Sequence, residues 1–109
     1  MACLLDLPFS IKAEVDGTVA NVTVTGDLDP ATVGTFSTVL LTLVTDGVRH
    51  FVIEASGLTF VDSTGIHALQ RVLSAEEGVR VTLISPPHRL LDLLLATGLD
   101  TVVAIDQPL

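Results

Sequence analysis

Basic residues are scarce in this sequence. Lys12, Arg49, Arg71, Arg80 and Arg89 stand scattered against 13 carboxylates, giving a formal net charge of −8 over 109 residues. Such a surface repels phosphate backbones, which argues against direct nucleic-acid binding. Cysteine is reduced to Cys3, so an internal disulfide and a cysteine-based metal cage are both excluded. No apolar run is long enough to span a bilayer, and the segment from Met1 to Pro8 lacks the basic region of a secretory signal. A cytoplasmic protein without membrane insertion is expected. Neither Gly-x-x-x-x-Gly-Lys nor Gly-x-Gly-x-x-Gly occurs, so no nucleotide or other cofactor is expected unless a partner brings it. There is no internal repeat and no low-complexity segment. The Asn21-Val22-Thr23 sequon falls in an expected strand of a chain with no export signal, and reads as accidental.

Hydrophobic residues, by contrast, make up 49% of the chain and charged ones 17%. That composition argues against disorder, and the length suits one core in one domain spanning 1–109. Phe9, Ile11, Ala13 and Val15 alternate with polar residues, the pattern of a strand with one buried face. Asp16-Gly17 marks a turn, and Val19 to Thr25 reads as the second arm of a hairpin. Gly26 is expected to break that strand. Asp29 as N-cap and Pro30 at the first helical position then start a helix that runs to about Val44. Val48 to Ala55 follows as a third strand, in which the continuous run Phe51-Val52-Ile53 predicts burial on both faces.

A second helix carries Ile66, Leu69, Val72 and Leu73 inward and ends near Gly78. Val79 to Ser85 reads as a fourth strand. Pro86-Pro87 opens a third helix that reaches Thr97, with Gly98 as its closing residue. The leucines at 90, 91, 93, 94 and 95 cover more than one face of that helix, which leaves deep burial, a partner surface and weak self-association as readings. Thr101 to Ile105 is a short last strand. The order β-β-α-β-α-β-α-β predicts an α/β sandwich, a mixed sheet packed with about three helices, with strands three and four parallel through a right-handed crossover.

The chemistry concentrates between Thr59 and Leu69. A short apolar run reaches Asp62, Ser63 and Thr64, and apolar residues resume at helical spacing after Gly65. Asp62 or Ser63 can cap the unpaired N–H groups of the helix that begins there, and the same donors also accommodate a phosphate. A capping role alone leaves unexplained why three polar residues sit together before a glycine that would leave the serine hydroxyl accessible. Asp62, Ser63 and His67 include the residue types of a catalytic triad, yet Asp62 is badly placed to orient the imidazole from its far side, and no Gly-x-Ser-x-Gly elbow is present. His50, His67 and His88 lie in different elements without ligand spacing, so no metal site is expected. No catalytic residue is assigned.

Asp62-Ser63-Thr64-Gly65-Ile66, after a strand and before a helix, resembles the phosphorylation loop of STAS domains, in particular the stand-alone anti-sigma factor antagonists of bacteria. Gly26-Asp27-Leu28-Asp29 is similar to the Gly-Glu-Leu-Asp that the family carries before its first helix. With the order of elements, the resemblance covers nearly the whole chain. It implies that Ser63 is the phosphoacceptor of a serine kinase that is also an anti-sigma factor, and that a separate metal-dependent serine phosphatase resets it. It further implies that Asp27, Asp29, Asp62, Thr64, Gly65 and His67 lie in the partner-binding surface of a protein that is no enzyme. Two residues depart from the family pattern: Asp27 replaces glutamate, and His67 replaces glycine or another small residue, one helical turn from Ser63. The alternative keeps the fold and makes the chain a STAS scaffold subunit of a lipid-transport or stressosome-like assembly without a phosphoswitch.

Overall fold

The computed structural model describes residues 9–107. Cys3, the rest of the segment from Met1 to Pro8, and Pro108-Leu109 lie outside them. The elements are β1 (Phe9–Asp16), β2 (Val19–Leu28), α1 (Val33–Thr45), β3 (His50–Val61), α2 (Ser63–Ala75), β4 (Arg80–Ile84), α3 (His88–Thr97) and β5 (Val103–Asp106), with a 3₁₀ turn at Leu99–Thr101 before the last strand. This is the mixed α/β arrangement the sequence pattern predicts. The strands form one five-stranded sheet in the order β1-β2-β3-β4-β5. β1 and β2 make an antiparallel hairpin around Gly17, whose φ of 65° sits at the position where a tight hairpin turn takes glycine. β2, β3, β4 and β5 are parallel to their neighbours.

From β2 onward each connection adds its strand on the same side, so right-handed crossovers place all three helices on one face. The burial pattern follows. Val22, Val24, Phe51, Ile53, Val81 and Leu83 are buried beneath Phe36 and Leu40 of α1, Ile66, Leu69 and Val72 of α2, and Leu90 and Leu94 of α3. Val52, read as covered on both sides, is only half-buried, because among the described residues no helix lies over its face. β1 departs similarly. Phe9 packs edge-on against Phe36 with ring centroids 6.5 Å apart, and Ile11 joins the core, but Ala13 is exposed and Val15 is 51% exposed. The core-facing stripe runs past the cover that α1 supplies.

α2 ends at Ala75 rather than near Gly78, and β5 starts at Val103 because Thr101 closes the 3₁₀ turn. Three boundaries near the β2–β3 ends also differ from the sequence reading. Gly26 does not break β2: with φ at 94° it is accommodated within a strand that continues to Leu28. Asp29 is not the N-cap of α1. Its carboxylate accepts the Ala31 N–H at 3.0 Å and its carbonyl accepts the Val33 N–H at 2.9 Å, so Asp29 and Pro30 build a turn before a helix whose N-cap is Thr32. β3 runs six residues beyond Ala55 because two bulges are built into it. Thr23 pairs with Glu54 but Thr25 with Gly57, and Gly26 pairs with Leu58 but Asp27 with Phe60. Each bulge inserts one residue and shifts the alternation, so the inward residues are Phe51, Ile53 and Ala55, then Leu58, then Val61.

Candidate functional site

The long β3 delivers the chain to a point where Leu28 and Val61 are register partners, the last pair of the β2–β3 ladder. The two motifs singled out in the sequence, Gly26 to Asp29 and Asp62 to Ile66, therefore lie side by side at the C-terminal edge of the parallel strands. Such edges are the usual location of sites in open α/β sheets. A hydrogen bond of 2.7 Å from the Thr59 hydroxyl to the Asp27 carboxylate ties the strands together there, and the Asp62 N–H donates to the Leu28 carbonyl at 3.4 Å.

Only Asp62 separates β3 from α2. Its backbone is extended, and its carboxylate accepts the Thr64 N–H at 3.0 Å and the Thr64 hydroxyl, so Asp62 is the N-cap. Ser63 is the first helical residue and is exposed. The capping work falls to its neighbour. Thr64 is half-buried and engaged with Asp62, while His67, one turn on from Ser63, is exposed. Asp27 and Asp29 are half-buried on the neighbouring strand end and turn. Ser63 and His67 share a helix, but Asp62 is committed to the cap and does not orient the imidazole.

Gly65 corrects one expectation. It is buried, not part of an accessible surface, and a Cβ there would stand 2.8 Å from Leu28 Cδ2 and 3.1 Å from Val61 Cγ2. Its missing side chain lets α2 press onto the ends of β2 and β3. Contact between Gly65 and a partner is blocked by the molecule's own core. Phe60 is the residue the sequence reading passed over. It belongs to the apolar run before Asp62, yet it is 48% exposed while Val61 is buried. The bulge between Leu58 and Phe60 turns that ring outward beside Asp27, its register partner. The two-residue apolar run Phe60-Val61 cannot reveal which member faces out; only the bulge decides it.

Between α1 and α2 runs an open cleft of about 220 Å³, lined by Val33, Gly34 and Ser37 on one side and Thr64, His67, Ala68 and Arg71 on the other. A larger one of about 370 Å³ lies at the far end of α2, lined by Leu73, Val79, Leu99 and Val102 among others. Among the described residues no group of three His, Cys, Asp or Glu side chains could hold a metal ion, and no helix is long and apolar enough to cross a membrane. No buried side-chain polar atom among them lacks a hydrogen-bond partner.

Compared with known proteins, the chain matches the STAS domain family over residues 10–109. No curated protein matches it. Among solved structures it is similar to an anti-sigma factor antagonist from Mycobacterium paratuberculosis, at 20% identity and a TM-score of 0.78, covering 90% of this chain and 85% of that one. It is similar to the anti-sigma factor antagonist SpoIIAA in its unphosphorylated form, at 21% identity and a TM-score of 0.75, covering 92% and 89%. The phosphorylated form of the Bacillus cell fate determinant SpoIIAA gives 19% identity and 0.73, covering 92% of each chain. At these identities the likeness is one of fold.

Proposed function

Because this chain belongs to the STAS domain family, we propose that it is a phosphorylation-switched binding module. In its unphosphorylated state it binds an anti-sigma factor that is also a serine kinase, and so frees a sigma factor. The kinase transfers the γ-phosphoryl group of ATP to Ser63 Oγ, whose proton is released, leaving ADP. The phosphorylated module dissociates. A metal-dependent phosphatase hydrolyses the ester with water and restores the serine. The chain itself catalyses nothing, acts as one STAS domain and works in the cytoplasm.

One observation carries this reading: Ser63 is exposed at the first position of α2, with the cap supplied by Asp62. An acceptor hydroxyl has to be both reachable and free of structural duty. Phosphorylation adds about −1.5 to −2 charges. The helix N-terminus accommodates them. A partner carboxylate does not: two unit charges about 6 Å apart at an effective dielectric of about 20 repel by roughly 3 kcal/mol. That is on the order of a hundredfold in affinity. Phe60 supplies the apolar anchor that a protein interface needs near its centre, and Asp27, Asp29, Asp62, Thr64 and His67 form its polar surround.

Incubation with the cognate kinase and ATP tests the acceptor. Wild type takes up one phosphate and Ser63→Ala takes up none; phosphate on the alanine variant would exclude Ser63. A second reading, a scaffold subunit of a larger assembly, draws support from Leu95 on α3 and Val102 after it, which are 64% and 59% exposed. Co-purification separates the two: a kinase recovered with the chain supports the switch, a membrane transporter ATPase the scaffold.

A further inference from the structure

Ser63, His67 and Arg71 recur at every fourth position of α2, and all three are exposed. Residues four apart are neighbours on a helix surface, and an acidic group placed before a basic one is the more favourable order. Helical side chains lean toward the N-terminus. The imidazole of His67 therefore leans back over the turn that carries Ser63, and the Arg71 guanidinium over the turn that carries His67.

Among the described residues that line the α1–α2 cleft, no carboxylate faces these two groups. His67 and Arg71 line the α1–α2 cleft, and α1 contributes only Val33, Gly34 and Ser37 to the opposite wall, none of them ionisable. A Cβ built on Gly34 would meet nothing within 4 Å, so the cleft is open at that point. The first turn of α2 carries no acidic residue. The carboxylate adjoining it, Asp62, is turned onto Thr64. On a chain with a net charge of −8 this is a local stripe of an imidazole and a guanidinium that begins at the one serine assigned above as phosphoacceptor.

We propose that phosphoserine at position 63 is held in cis by His67, with the Arg71 charge one turn further along behind it, and that this clamp withdraws from a partner's carboxylate the two groups on which it docks. The inference rests on the phosphoswitch reading and deepens it. In the unphosphorylated state the stripe offers an acidic partner segment a foothold on an otherwise acidic molecule. Phosphorylation then acts twice, adding repulsive charge and occupying the attractive groups. His67 is the positioning element of this device, since a glycine or alanine there leaves the phosphate only the helix N-terminus.

The test needs no kinase. Phosphoserine is installed at position 63 during synthesis, and the phosphate is titrated by ³¹P NMR in the full chain. Its second ionisation ordinarily falls near pH 6. In the protein carrying His67 and Arg71 the midpoint lies lower than in the His67→Gln, Arg71→Gln double variant by about half a pH unit, the size expected of an exposed ion pair. Both positions are exposed, so the variants keep the fold. Equal midpoints overturn the clamp even if a kinase modifies Ser63, whereas a kinase that ignores Ser63 overturns the switch and leaves the midpoints to be measured.

Discussion

At Asp62 and Ser63 two adjacent side chains divide two tasks that either could perform. The carboxylate satisfies the helix, and the hydroxyl is left to solvent. Asp62→Ala is expected to cost about 1 kcal/mol of stability, the ordinary loss for an N-cap, while Ser63→Ala leaves the melting temperature within error. Thermal melts of the two variants check that division, and a larger loss at Ser63 would return the serine to a structural role. Phe60→Ala should weaken partner binding by about tenfold or more without lowering stability, since the ring is half in solvent. Calorimetric titration against the partner reads the first effect and melting the second. His50 offers a pH signature. Burial first, and the Arg80 guanidinium second, hold its imidazole below the ordinary histidine value of 6.5, and its Nε2 lies 2.9 Å from the Thr82 hydroxyl. The unfolded chain thus binds a proton there more readily than the folded one. The stability this lends is present above about pH 6.5 and is lost as pH falls through that value toward the lower folded one. His50→Gln should flatten the decline in melting temperature between about pH 7.5 and 5.5; an unchanged decline would remove His50 as its source.

Among the strands and helices, glycine marks where packing is tightest and where it is slack. Gly65→Ala and Gly57→Ala both push a Cβ into occupied space. At Gly57 it would lie 2.6 Å from Thr25 Cγ2 and 3.1 Å from the Val24 carbonyl oxygen, where β2 and β3 converge at a bulge. Overpacking of this kind costs about 1–3 kcal/mol. Gly34→Ala, in open space on α1, should instead stabilise by about 0.5–1 kcal/mol through helix propensity. Denaturant unfolding of the three variants distinguishes the sites, and a stabilised Gly57→Ala would contradict the bulge geometry. The same region shows what periodicity can and cannot convey. The order of elements, the hairpin and the start of α2 were legible because apolar spacing and turn residues mark them locally. The length of β3 was not, since two bulges reset its alternation and are set by pairing with β2. Asp29 misled because an aspartate before a proline serves a turn as well as a cap. The openness of the Val52 face depends on crossover direction, which no single strand encodes.

Across the molecule, the parallel order from β2 to β5 gathers the helices on one face and brings Gly26 to Asp29 beside Asp62 to Ile66, though 32 residues separate Asp27 from Thr59. The excess of carboxylates makes an added phosphate costly to any acidic partner. The central claim is that charge on one exposed hydroxyl governs docking. Isothermal titration of the proposed partner, an anti-sigma factor kinase, against the chain, with Ser63 free and with Ser63 phosphorylated, tests it most directly. A loss of affinity on the order of a hundredfold is predicted; equal affinity for the two forms would contradict it.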